Sequence, residues 1–128
     1  MKLKSINSLK KKLIIVFNKF IRLRDQNNPC ISCGRYGDMD AGHYWSTSQC
    51  PQPSMRFNEL NVHAQCRHCN RFLEGNRQGY EVGLRKRFGS DILVKLNVQR
   101  SVKQNPWTAW EYEQVIKIYK KKVKEMLK

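Results

Sequence analysis

The segment that decides the fold runs Cys30-Ile-Ser-Cys33, then Asp40-Ala-Gly-His-Tyr44, then Asn61-Val-His-Ala-Gln-Cys66-Arg-His-Cys69-Asn70. A Cys-x-x-Cys spacing lets both sulfurs of a pair reach one ion, and Zn²⁺ takes four thiolates in a tetrahedron. Two such knuckles far apart in the chain close the intervening loop around the metal. Cys30, Cys33, Cys66 and Cys69 are therefore expected to form a structural zinc site. His43, Asn61 and His63 stand between the knuckles, and Asn70 follows the last cysteine.

Working outward, 128 residues suffice for one domain with a small core. Its expected parts are an N-terminal helix (1–28), a zinc-bracketed core (29–76) and a helical C-terminal part (77–128). The 25 Lys and Arg against 10 Asp and Glu give a formal net charge of +15, which points to an anionic polymer. Nucleic acid is the natural partner, because each neutralised phosphate releases condensed counterions. The charged start at Met1 to Lys4 and the short apolar run Leu13 to Phe17 make neither a signal peptide nor a membrane span. A reducing, cytoplasmic setting is expected, and there paired cysteines bind metal rather than form disulfides. Cys50 is left over as a free thiol.

Helical spacing of Leu9, Leu13, Val16 or Phe17, Phe20 and Leu23 predicts an amphipathic helix over Ser5 to Asp25, packed on the zinc module. Met39 to Trp45 and Asn61 to Ala64 read as short strands, and Ser46 to Met55 as a loop. A helix is expected from Arg67 to Glu74, ended by Gly75 and Asn76. Tyr80, Leu84 and Phe88 mark another. A further helix, capped by Ser90, would bury Ile92, Leu93, Leu96 and Val98. Thr108 and Glu111 form a capping-box pattern for the last helix, whose buried face is Tyr112, Val115 or Ile116, Tyr119, Val123 and Met126. The fold class is α+β, mostly helical.

The order knuckle, strand with His, strand with Asn, knuckle, polar residue resembles that of a ββα-metal (HNH-type) nuclease. A phosphodiester needs a base to activate water, and an imidazole near its ordinary pKa serves. A hard cation must steady the charge on phosphorus and on the leaving oxygen, and an Asn carbonyl is an acceptable ligand for a Mg²⁺ that keeps most of its waters. His43 is the candidate base, Asn61 the holder of its loop and Asn70 the metal ligand. Gly42 stands where many such enzymes carry an acidic ligand, which leaves three arrangements open. Asn70 alone holds the cation, the preferred one; or Asp40 reaches it, although alternation points Asp40 and His43 to opposite faces; or His43 is a ligand and His63 the base.

The strings Cys-Ile-Ser-Cys-Gly34, Asp-Ala-Gly-His-Tyr44, Arg-Phe-Asn-Glu-Leu-Asn61 and Gln-Cys-Arg-His-Cys-Asn70 resemble the NinG (Rap) family of lambda-type phages. The likeness covers Cys30 to Phe88 and continues weakly to Trp107-Thr108. It implies a recombination endonuclease in the host cytoplasm, cutting branched DNA such as D-loops and Holliday junctions, with structural Zn²⁺ and catalytic Mg²⁺ or Mn²⁺. A homodimer would suit a symmetric junction. Arg56, Arg71 and Arg77 are candidate phosphate contacts, and His63 either meets phosphate, orients His43 or simply packs. His68 is taken as exposed, and Glu59 as one half of a structural ion pair. Trp45 could stack on exposed bases, whereas Trp107 and Trp110 are expected in the core. The rival function is a zinc-dependent DNA-binding module without chemistry, which would not require the His43 and Asn70 pair. An adaptor for an acidic partner is a further rival, and it would lack strong, salt-dependent DNA affinity.

Overall fold

The computed structural model describes residues 5–128, so the charged start at Met1 to Lys4 lies outside it. Its elements are α1 (Ile6–Arg24), β1 (Met39–His43), α2 (Pro53–Arg56), β2 (Val62–Cys66), a π-helical turn (His68–Phe72), α3 (Arg77–Phe88), α4 (Asp91–Ser101) and α5 (Ala109–Met126). The fold is mixed and mostly helical, with one antiparallel pair of strands in the register Met39 to Cys66, Gly42 to His63 and His43 to Val62. Among the described residues no helix is long and apolar enough to cross a membrane.

Two apolar cores flank this ribbon. In the first, Leu9, Leu13, Phe17, Phe20 and Ile21 of α1 meet Tyr112, Ile116, Tyr119 and Val123 of α5, with Phe57 and Val62 beneath. Edge-on aromatic contacts join them, Phe17 to Tyr119 at 4.9 Å and Phe17 to Phe57 at 5.5 Å. α1 thus packs chiefly on α5, where packing on the zinc module was expected. The second core gathers Ile31, Tyr44, Cys50, Met55, Tyr80, Leu84, Ile92 and Leu96, so Cys50 is a buried packing residue.

The capping box forms as predicted, with the Glu111 N–H donating to Thr108 Oγ1 and the Thr108 N–H to Glu111 Oε1, both at 3.2 Å. Several expectations fail for identifiable reasons. The residues after the second knuckle make a π-helical turn, since the Leu73 N–H reaches back five residues to the His68 carbonyl. Positive φ at Glu74, Gly75 and Asn76 then stops it. The supposed loop after β1 contains α2, started by Pro53. Ser90 has helical dihedrals and makes no cap bond. Val98, Met126 and Trp110 face solvent, and Phe88 is half out, its ring tilted against His63 at 5.4 Å.

α1 ends in a polar anchor for the ribbon. Arg24 donates to the carbonyls of Glu59 and Val62, each at 2.8 Å, and to Asp25. The buried Asp25 carboxylate accepts the Ala64 N–H at 2.9 Å. Burial opposes its charge, but the bonds from Arg24 and Ala64 and the positive charge of Arg24 outweigh it and hold its pKa below 3.8. A depressed carboxylate stabilises the fold at neutral pH, and that contribution is lost as pH falls through the folded-state pKa. Asp25→Asn should therefore cost about 3 kcal/mol at pH 7. In urea titrations the difference from the parent should narrow below pH ~4.

Candidate active site and metal centre

The four knuckle sulfurs lie within 4.8 Å of one another, although they come from a loop, the end of β2 and the π-helical turn. A tetrahedral ion with ligands at about 2.3 Å requires sulfurs about 3.8 Å apart, and Cys33 and Cys66 stand at 3.7 Å. Donors already point at the sulfurs. The Ser32 and Cys69 N–H groups reach Cys30 Sγ and Cys66 Sγ at 3.4 Å, and Asn76 Nδ2 reaches Cys69 Sγ at 3.3 Å. Burial pushes the Cys69 thiol up to about 12, so a thiolate there calls for a cation beside it. The group could hold a metal such as zinc.

Beside this cluster a cleft of about 410 Å³ is lined by His43, Tyr44, Ser46, Gln49, Asn70 and Arg77, among others. His43 closes β1, and its Nε2 lies 2.9 Å from the Arg56 carbonyl. A carbonyl only accepts, so Nε2 carries the proton and Nδ1 keeps the lone pair. Burial lowers the His43 pKa below 6.5, against the effect of the carbonyl bond, and the Arg56 charge lowers it further. The ring is neutral at pH 7. Arg56 thus serves His43 through its backbone, which no side-chain pattern could have announced.

Asn61 is fully buried and joins two segments. Its Oδ1 accepts from the Trp45 N–H at 2.9 Å, while Nδ2 donates to the carbonyls of Trp45 at 3.1 Å and Met55 at 3.0 Å. The Trp45 bonds fix the chain just after His43. The Met55 bond fixes the residue before the carbonyl that holds the imidazole.

Asn70 enters the cleft from the π-helical turn, with Nδ2 donating to Asp40 Oδ2 at 3.0 Å. Arg71 pairs with the same carboxylate at 3.1 Å and Arg67 approaches at 3.8 Å. Asp40 is therefore committed to three donors. Gly42 also has a packing reason: a Cβ there would collide with the buried Gln65 side chain. Gln65 is held by Ser32 Oγ at 2.8 Å and the Gly75 carbonyl at 2.6 Å. No acidic side chain fits at position 42 while Gln65 stays in place.

His63 does not lie beside His43. The register pairs it with Gly42, so its ring projects from the opposite face of the ribbon. It is 2% exposed, and burial together with the Arg24 charge drives its pKa down to about 3. Tyr80 donates its own proton to the Gly42 carbonyl at 2.8 Å, so His63 Nδ1 must donate to Tyr80 Oη at 3.2 Å. His63 is a neutral packing residue, enclosed away from phosphate and from His43. Tyr80 and Gln65 are both absent from the expected site; Tyr80 bonds the strand carrying His43 at Gly42, and Gln65 packs against the same glycine.

Of the expected phosphate contacts, Arg77 lines the cleft, its guanidinium 4.4 Å from the Tyr44 ring centre and 4.1 Å from that of Trp45. Arg71 is exposed but paired with Asp40. The Trp45 ring is also covered by Arg100 at 4.2 Å, so it is not free to receive a base. Glu59 makes the expected ion pair, with Lys122 at 2.9 Å, and His68 is exposed.

The family model described as "Bacteriophage Lambda NinG protein" matches residues 1–128. "Protein ninG" of Escherichia phage lambda is 39% identical over 111 residues, covering 85% of this chain and 52% of that protein. The proteins of the same name from Salmonella phage P22 and Escherichia phage 933W are 40% and 38% identical, each over 85% of this chain and 53% of their own length. The chain spans about half the length of these curated relatives. No solved structure matches it. With the family model matched from end to end, the chain belongs to the bacteriophage lambda NinG family.

Proposed function

We propose that this chain is a metal-dependent endonuclease of the ββα-metal (HNH-like) type, built on a structural Zn²⁺ and cutting phosphodiester bonds in branched DNA. One observation carries the reading. A neutral imidazole, its Nε2 committed to the Arg56 carbonyl, lines the same polar cleft as Asn70 and Arg77. The branched substrates, D-loops and Holliday junctions, rest on the resemblance to NinG (Rap) proteins.

His43 Nδ1 takes the proton of the attacking water, and the Arg56 carbonyl steadies the imidazolium by accepting from Nε2. Asn61 keeps both ends of that arrangement in place. The Nδ2 bond to Asp40 leaves Asn70 Oδ1 as the oxygen offered to a cation. Mg²⁺ or Mn²⁺ there would stabilise charge on the phosphorane and the leaving 3′ oxygen, keeping most of its own waters. Arg77, stacked on Tyr44 and Trp45, offers its guanidinium to a phosphate in the cleft. The commitment of Asp40 to Asn70, Arg71 and Arg67 favours Asn70 over Asp40 as the protein ligand. That sparse ligand set is also what favours the rival, a zinc-dependent DNA-binding module without chemistry.

His43→Ala should lower cleavage of a synthetic four-way junction by about 10²- to 10⁴-fold. Zinc content and DNA affinity should stay at the parent level. Unchanged cleavage in the variant would remove His43 from the mechanism, and parent protein that binds but never cuts with Mg²⁺ or Mn²⁺ would establish the rival. In the parent, the acid limb of the rate profile should have its midpoint below pH 6.5, since the folded environment lowers the His43 pKa.

Cys66→Ser or prolonged chelation should unfold the module, because structural zinc contributes roughly 10–16 kcal/mol of apparent binding free energy in small sites. Circular dichroism with metal analysis checks this. A cooperative, native-like melt in fully metal-free protein would show that the four cysteines do not depend on an ion.

A further inference from the structure

We propose that Phe72, with Leu73 beside it, is a wedge that stacks on a base exposed at a DNA branch point, giving the cleft its preference for branched substrates. The proposal rests on the reading that DNA lies in the cleft.

Phe72 leaves 77% of its surface in solvent and Leu73 leaves 47%, although both are large apolar side chains in a chain with two well-formed cores. Phe72 ends the π-helical turn that carries Asn70, and Leu73 follows it, so both stand within three residues of the proposed cation ligand. Single π-helical turns recur at functional places because the extra residue redirects side chains. Here the turn leaves Phe72 outside while Cys69, three residues earlier, is buried at the metal cluster. The His68 ring lies nearly parallel to Phe72 at 5.9 Å, 28° between planes, which backs one side of the aromatic.

The surroundings choose the occupant. Arg67 and Arg71, about three-fifths exposed, share the single carboxylate of Asp40, so the pair keeps a net positive charge. An exposed aromatic on the same short turn as two exposed arginines fits a ligand that is anionic yet has flat apolar faces, which describes nucleic acid. Trp45 cannot serve, since Arg77 and Arg100 cover its ring. Within a continuous duplex, insertion must first unstack a base step. At a crossover or an unpaired base the stack is already interrupted, so the same contact forms without that cost. Phe72 therefore discriminates by the state of the stack, without reading sequence.

The experiment measures binding and cleavage of a four-way junction carrying 2-aminopurine at its crossover, against a linear duplex of equal length. Parent, Phe72→Ala and Phe72→Trp are compared. Phe72→Ala should weaken junction binding about tenfold, the worth of one base–aromatic stack. Duplex binding and zinc content should not move. The change in 2-aminopurine fluorescence on binding should vanish in Phe72→Ala and return in Phe72→Trp. An unchanged junction-to-duplex ratio would overturn the wedge, as would equal loss on both substrates. So would a shift in oligomeric state on removing the ring, which would assign the patch to a second copy of the chain. Phe72-dependent binding with no metal-dependent cleavage would remove the nuclease reading and leave the wedge standing. Metal-dependent cleavage insensitive to Phe72 would do the reverse.

Discussion

A two-stranded ribbon with five residues per strand is marginal in water by itself, yet both His43 and the approach to the second knuckle hang from one. The chain supports it with side chains that occupy its backbone groups from outside. Arg24 and Asp25 take the Val62 carbonyl and the Ala64 N–H, Tyr80 takes the Gly42 carbonyl, and Asn61 takes both backbone groups of Trp45. These contacts come from α1, from α3 and from the segment entering β2. The helices therefore contribute more than apolar surface. The end of α1 sends Arg24 and Asp25 to the ribbon and α3 sends Tyr80, and the buried Asp25 and Tyr80 groups would be left unpaired if the ribbon slipped.

The same economy governs charge. The chain carries +15, yet the few acidic groups near the cleft are placed with purpose. Asp40 orients the Asn70 amide and gathers two arginines, and Glu81 accepts from Tyr44 Oη at 2.7 Å beneath Arg77. Glu59 binds Tyr119 and Lys122 and so ties α5 to the segment before β2. Removing any of these carboxylates would raise the net positive charge while loosening the cation it holds: Arg67 and Arg71 at Asp40, Arg77 at Glu81, Lys122 at Glu59.

Much of the fold was legible because its signals are local. Cys-x-x-Cys spacing, the Thr108–Glu111 box and the apolar periods of α1 and α5 each act within a few residues. The same holds for the site's outline, since His43, Asn61 and Asn70 are recognisable by type and order. What escaped depends on contacts distant in sequence. The side-chain period could not reveal that the Arg56 carbonyl, 13 residues from His43, would set its tautomer. It gave no warning that Tyr80 would enclose His63 either. Sharing a face with Asn61 made His63 look accessible, but accessibility is decided by α3, which packs over that face. Helical spacing similarly over-assigned Val98 and Met126, which lie on the periodic stripe of their helices and yet face solvent.

The close fit of Gly42 against Gln65 has an evolutionary consequence. An acidic ligand at position 42 cannot be reached by one substitution, because the new side chain would meet an amide already bonded to Ser32 and Gly75. Trimming Gln65 first would release the Gly75 carbonyl and Ser32 without gaining a ligand. The two positions are thus coupled, each change harmful without the other.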